Sequence, residues 1–532
     1  MKTLFFLTIS IFLTASASAQ HEYLDHPLDI THYKVSIELE DASDKIRVYE
    51  WITFRLETQC DSFFIDLVSA NDSTGMRLHP ELTIDANQMK FRHEEDRIWI
   101  QSDPSWEVGS EHEIKMFFDG VPETGLIIGE NKFGDRTFFG DNWPNRAHHW
   151  FACVDHPIDK ATIDYSVIAP KQYNCIATGK FVSRTFVRNG EKVKFDFTTS
   201  INLPTKVMVI GVADFFWDLY KSELGFDVSA WVYPENKKEG LSDMKVSLEV
   251  LDYFMEILGN YPFEKLANVQ STTQFGGMEN AGNIFYDENA ITGEGTMEAL
   301  IAHEIAHQWF GNSASEEDWP HLWLSEGFAT YLTDLYFEQK YGREAMNERL
   351  KGERNRVLKF ARQYDHPVVD TTYEDLMHLL NPNSYQKGAW FLHMLREEVG
   401  DSSFFVGIRT YYEAYRYSNA NTEDFRHIME SVSGMQLSPF FEQWLHRSGH
   451  PLVLFDTIER KERTVLRMQQ MQDGAPFQFD MEVEAIYEDG TTELVVLKAH
   501  GVNANYAFEP GKKIKGFRYD PNVKLLFQEV ER

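Results

Sequence analysis

Hydrophobic and polar residues alternate along the early part of the chain. "YKVSIELE" from Tyr33, "DYSVIAP" from Asp164 and "KVKFDFTTS" from Lys192 place apolar side chains at every second position. That is the period of a strand with one buried face. Turn-forming stretches such as "RNGEK" separate these runs. From Tyr33 to about Asp214 the pattern predicts an all-β domain of many strands. From about Phe215 the period lengthens. "SDMKVSLEVLDYFMEILGNYPF" carries apolar residues at helical spacing, with Gly259 and Pro262 at its end. Helical segments then dominate to about Gly449. After "RSGHPL" the alternation returns, and "FQFDMEVEAIY" puts Phe477, Phe479, Met481, Val483, Ala485 and Tyr487 on one strand face. The expected organisation is a multidomain α+β chain with segments 20–214, 215–449 and 450–532. No internal repeat or low-complexity segment interrupts it.

The first residues stand apart. "MKTLFFLTISIFLTASASAQ" has one lysine, an apolar run from Leu4 to Leu13, and small residues ending Ala17-Ser18-Ala19. This is the pattern of a cleaved secretory leader spanning 1–19. A membrane anchor is the alternative, but the run is short for a span, and no later stretch resembles one. The expectation is an exported chain, periplasmic or extracellular, with no stable membrane span.

Composition narrows the function. The chain has 532 residues, 43% hydrophobic and 14% aromatic, which suits a globular protein with a large core. A net charge of −32 argues against nucleic acid as a partner. Cys60, Cys153 and Cys175 are too few for a disulfide scaffold, and whether Cys153 and Cys175 pair stays open. Oligomeric state is not legible.

The candidate chemistry lies at "TMEALIAHEIAHQWFGN". Its apolar residues Leu300, Ile301, Ile305 and Trp309 predict a helix stopped by Gly311-Asn312. Residues four apart share a helix face, so His303 and His307 can hold one ion, with Glu304 beside them as a general base. This is the H-E-x-x-H pattern of zinc sites. A catalytic zinc takes three protein ligands. Glu326, with eighteen residues between it and His307, lies in the helix-like "WLSEGFATYLTDLYFEQKYG" among apolar neighbours. A carboxylate there needs a partner. A plain helix carrying two histidines, and Glu326 as a solvated helix residue, are the bland readings.

Four stretches occur in one order: "GGMEN" at Gly276–Asn280, "HEIAHQWFGN", "LWLSEGFA" and "YQKG" at Tyr385–Gly388. In this order and spacing the chain resembles the zinc aminopeptidases related to aminopeptidase N and leukotriene hydrolase, a gluzincin family. "NRAHHWFACVDHPIDKATIDYSVIAP" is similar to a stretch near the end of that family's first domain. The resemblance covers most of the chain. It implies a β-saddle domain, a thermolysin-like, mainly helical catalytic domain and a small C-terminal β-sandwich. It implies one zinc ion on His303, His307 and Glu326, Glu304 as base, and Tyr385 stabilising the oxyanion. It also implies that Glu279 holds the free α-amine of a peptide, with Gly276, Gly277, Met278 and Asn280 lining its path. From its own pattern Tyr385 reads as a packing aromatic and Glu279 as a loop carboxylate.

Two departures stand out. Many relatives add a glutamine or acid from the first domain to the amine site, and the matching position here falls near Asn142 or Trp143. Many relatives also end in a large helical domain, where this chain has some eighty β-like residues after His450. The expectation is a short form with a more open site that admits longer peptides. His148, His149 and His156 cluster in sequence, and a second metal there is a lesser alternative to structural roles. The competing readings of function are a zinc endopeptidase or other hydrolase on the same scaffold, and a binding protein built on an inactive one.

Overall fold

A computed structural model of the chain describes residues 23–460 and 463–531. The leader expected over 1–19 lies outside the described residues. Among the described residues no helix is long and apolar enough to cross a membrane. The chain folds as two compact units.

The first unit runs to Asp218 and takes in Trp231–Lys237 and Phe263–Asn289. Its frame is a ten-stranded sheet. Strand Leu28–Glu40 is central, antiparallel to Ser43–Leu56 and parallel to Lys160–Pro170. Tyr33, Val35 and Ile37 face Ile163, Tyr165 and Val167 across the parallel ladder, all fully or nearly fully buried. The alternating pattern thus predicts the right face of these strands. A four-stranded sheet joins Leu126–Glu130, Arg136–Gly140, Ile210–Ala213 and Asn174–Ala177. Cys153 and Cys175 are buried and unbonded.

This unit also holds strands that the period change conceals. Leu266–Ser271 pairs in parallel with Asn283–Asp287. Leu266–Ser271 is buried along its whole length, so it shows no alternation and its polar Asn268, Gln270 and Ser271 read as loop. Those residues are satisfied inside: Asn268 accepts from the Tyr286 hydroxyl at 3.0 Å, and Gln270 accepts from the Tyr233 backbone N–H at 2.9 Å.

The second unit holds most of the helices and the last strands. Helix Ser247–Leu258 ends at Gly259, whose φ of 104° only glycine adopts readily. Helices Trp323–Tyr341 and Gly388–Val399 pack through Gly327 and Gly388, where an added Cβ would lie 3.0 Å from the facing backbone. The last strands form a four-stranded and a three-stranded sheet. In Phe479–Tyr487, residues 479, 481, 483, 485 and 487 are buried as expected. Phe477 precedes that strand, and its backbone is held instead by the Gln470 amide, at 2.8 and 2.7 Å.

Candidate metal centre

The helix carrying the histidines spans Glu298–Ala306, shorter than its apolar stripe suggests. His307 is its C-cap, and the chain turns there. The Asn312 N–H donates to the His307 carbonyl at 3.1 Å and Gly311 N–H to Ala314 at 2.8 Å. The turn leaves His303 and His307 on one face and frees the chain to reach Trp323–Tyr341.

Three ligand atoms converge between the two helices. His303 Nε2 lies 3.1 Å from His307 Nε2 and 3.3 Å from Glu326 Oε2. His307 Nε2 lies 3.2 Å from the same oxygen. A tetrahedral ion bonded at about 2.0–2.1 Å holds its ligand atoms roughly 3.4 Å apart, so the triangle fits a small metal ion. Burial pushes His303 below its usual value, toward the neutral form that ligates. Burial alone would raise Glu326, but the two imidazoles overrule it and hold the carboxyl well below the usual range.

The other nitrogen of His307 fixes its tautomer. Nδ1 lies 3.2 Å from the Phe310 carbonyl and 3.0 Å from Ser325 Oγ. A carbonyl only accepts, so Nδ1 carries the hydrogen and Nε2 keeps its lone pair for the triangle. Gly311 makes this possible. Its φ is 118°, and a Cβ there would sit 2.2 Å from Ser325 Oγ.

Glu304 is buried on the histidine helix, one residue past His303. Tyr385 lies in a π-helical turn, Asn383–Lys387, directly before Gly388. Its ring stacks on His303, centroids 5.9 Å apart and planes within 11°. The Asn383 side chain donates to the His366 carbonyl at 2.8 Å, and Lys387 Nζ to the Gly449 carbonyl at 2.9 Å, so the turn is fastened on both sides.

The "GGMEN" residues belong to the first unit. Gly277–Met278 is a two-residue strand antiparallel to Tyr286 and Phe285. Met278, Glu279 and Asn280 are buried there. The "GDNWPNR" loop braces this segment from within the same unit. Asp141 accepts from the Gln274 N–H at 3.2 Å and from Arg146 at 3.0 Å, and Trp143 meets Phe275 edge-on. Asn142 donates to the Thr205 and Met208 carbonyls and accepts from Trp150 Nε1, at 2.9, 2.7 and 2.8 Å. Both of its amide N–H donors are used, and the Trp143 side chain offers no acceptor.

The histidines 148, 149 and 156 do not form a metal group among the described residues. His148 Nδ1 bonds Asp155 at 2.7 Å, burial lowers His149 to about 4, and His156 stacks on Tyr23. Sequence reasoning missed Ser325 and the Gly327–Gly388 contact, and read Gly311 only as a helix stop. Gly327, next to Glu326, and Gly388, three residues past Tyr385, were its one available signal.

An H-E-x-x-H helix with a carboxylate from the following helix is the donor set of a metallopeptidase. Residues 243–444 match the peptidase family M1 domain and residues 30–207 the peptidase M1 N-terminal domain. The chain belongs to peptidase family M1. It is 27% identical to probable aminopeptidase 2 of Sulfurisphaera tokodaii over 404 residues, 72% of this chain and 50% of that protein. It is 30% identical to glutamyl aminopeptidase of Sus scrofa over 336 residues, 59% of this chain and 35% of that one. The Bos taurus glutamyl aminopeptidase is 29% identical over 60% of this chain and 35% of its own length. The chain thus spans half or less of the length of these relatives.

Proposed function

We propose that this chain is a zinc aminopeptidase that removes residues from the free N-terminus of peptides. The observation that carries the proposal is the triangle of His303, His307 and Glu326, with Glu304 on the same helix. Those three residues would hold the ion. Bound zinc supplies a Lewis acid for the scissile carbonyl and a water acidified to a pKa of about 7.

The remaining steps belong to side chains of the protein. Glu304 accepts the proton of the attacking water and returns it to the leaving amine nitrogen. Tyr385 donates its hydroxyl to the carbonyl oxygen as negative charge develops. Glu279 accepts from the protonated α-amine of the substrate, a contact that requires a free N-terminus. The backbone at Gly276 and Gly277 pairs with the extended substrate, and Met278 and Asn280 border its path. The family resemblance supports these roles, together with the β-saddle, thermolysin-like and β-sandwich assignments that we include in the proposal. We include export in the proposal, with the mature chain beginning at Gln20. Mass measurement of the secreted N-terminus checks it.

One peptide offered with a free and with an acetylated N-terminus tests the function, products being read by mass. Stepwise shortening of the free form alone is expected, and it stops when a chelator removes the metal. Internal cuts in both forms would replace this reading with an endopeptidase.

A further inference from the structure

Helix Gly388–Val399 starts directly from the turn that carries Tyr385. Its residues 390, 393, 394 and 397 share one face, at the i, i+3, i+4, i+7 spacing of a helical stripe. The segment Asp520–Phe527, beyond the last long strand, takes up that face.

Each contact is specific. Arg354 lies over the Trp390 ring at 4.8 Å, and its Nη2 donates to Asp520 Oδ2 at 2.5 Å and to the Leu525 carbonyl at 2.7 Å. His393 Nε2 bonds the Val523 carbonyl at 2.9 Å, and its Nδ1 faces the Tyr331 hydroxyl at 3.2 Å. The carbonyl can only accept, so Nε2 carries the hydrogen and Nδ1 accepts from Tyr331. The Leu526 N–H reaches Met394 Sδ at 3.5 Å, and Lys524 pairs with Glu397 at 3.0 Å. Val523 has a φ of 56°, a conformation a β-branched residue rarely adopts, and its carbonyl is the one that meets His393. At the other end of the same strands, Gly449 accepts from Lys387 in the Tyr385 turn.

The strands after His450 are therefore fastened to the Tyr385 element where they begin and where they end. His393 adds a link to Tyr331, five residues past the ligand Glu326 on its helix. We infer that this β module is a positioning element for Tyr385, acting through Lys387 at one end and His393 at the other. The inference rests on Tyr385 having the role proposed above. Neither residue touches the reacting atoms.

The test uses the full chain. Lys387→Met and His393→Leu remove the two fasteners, and Lys387→Arg and His393→Gln keep a donor. Each removal should lower kcat by about tenfold to a hundredfold, the effect of a small misplacement of a catalytic group. KM and zinc affinity in a chelator competition should stay at the parent's values, and the conservative variants should recover most of the rate. In a Tyr385→Phe background the same removals should have no further effect on kcat, because they act through the missing hydroxyl. An undiminished kcat, or an equal loss in the Tyr385→Phe background, would overturn the inference. Amide hydrogen exchange decides independently of turnover. Faster exchange over residues 383–388 with none over 298–306 supports the inference even if the parent cleaves no peptide, and unchanged exchange at 383–388 refutes it. Should either removal fail to fold, the other carries the same comparison.

Discussion

Tyr385 stacks on His303, ring planes within 11° and centroids 5.9 Å apart. The stacking involves the ring and not the hydroxyl. Ring and hydroxyl are thus separable. Tyr385→Phe should keep the stacking and the bound metal, since no ligand atom is lost, and should reduce kcat by about 10²–10³-fold with little change in KM. Steady-state kinetics alongside metal analysis check both halves. A variant that lost its zinc would mean that the ring, not the hydroxyl, is the essential part.

Ser325 lies 3.0 Å from the nitrogen of His307 that faces away from the triangle. Ser325→Ala should weaken zinc binding by about tenfold, as removal of an outer partner of a ligating histidine does. Titration of the metal-free protein against a chromophoric chelator measures this. Turnover at saturating zinc should stay close to the parent's.

Gly327→Ala would place a methyl 3.0 Å from the Gly388 backbone. Overpacking of that kind costs about 1–3 kcal/mol. Gly352, on helix Arg343–Ala361, has nothing within 4 Å of its virtual Cβ, so Gly352→Ala should stabilise by about 0.5–1 kcal/mol. Paired thermal melts should move in opposite directions. Equal and small shifts would show that the two helices separate easily.

Asp334 and Glu353 share a buried site with Arg349, whose Nε is 2.5 Å from Asp334. Burial raises Glu353 well above its usual value, and burial raises Asp334 to about 6. Both folded values exceed the unfolded ones, so the folded chain keeps protons that the unfolded chain releases. That stability is full below about pH 4 and is lost as pH rises through the folded values. Glu353→Gln keeps a neutral donor at every pH. Its melting temperature should fall less than the parent's between about pH 5 and pH 8. Parallel pH curves for the two proteins would exclude a shared proton.

The convergence of His303, His307 and Glu326 was legible because helical periodicity alone puts the two histidines on one face, and because a carboxylate among apolar neighbours needs a partner. Tyr385 and Glu279 were not. A tyrosine in an irregular turn and a glutamate after a two-residue strand carry no period, and only the motif resemblance singled them out. Ser325 was hidden for a different reason. Its role depends on which turn faces which helix, and that is settled by the early end of the Glu298–Ala306 helix. Leu266–Ser271 escaped because a strand buried on both faces does not alternate. In the last strands one face was buried, and there the pattern placed every inward residue from Phe479 to Tyr487.

The ligand triangle joins two helices across the eighteen residues between His307 and Glu326. Among the described residues there is no disulfide. With zinc bound as proposed, the ion is a reversible cross-link closing that loop, and it stabilises the folded chain by an amount set by its free concentration. Occupancy and conformational stability then become one quantity. A metal-starved medium would withdraw the protein from use by loosening its fold as well as by emptying its centre, and resistance to a second protease would report on zinc supply.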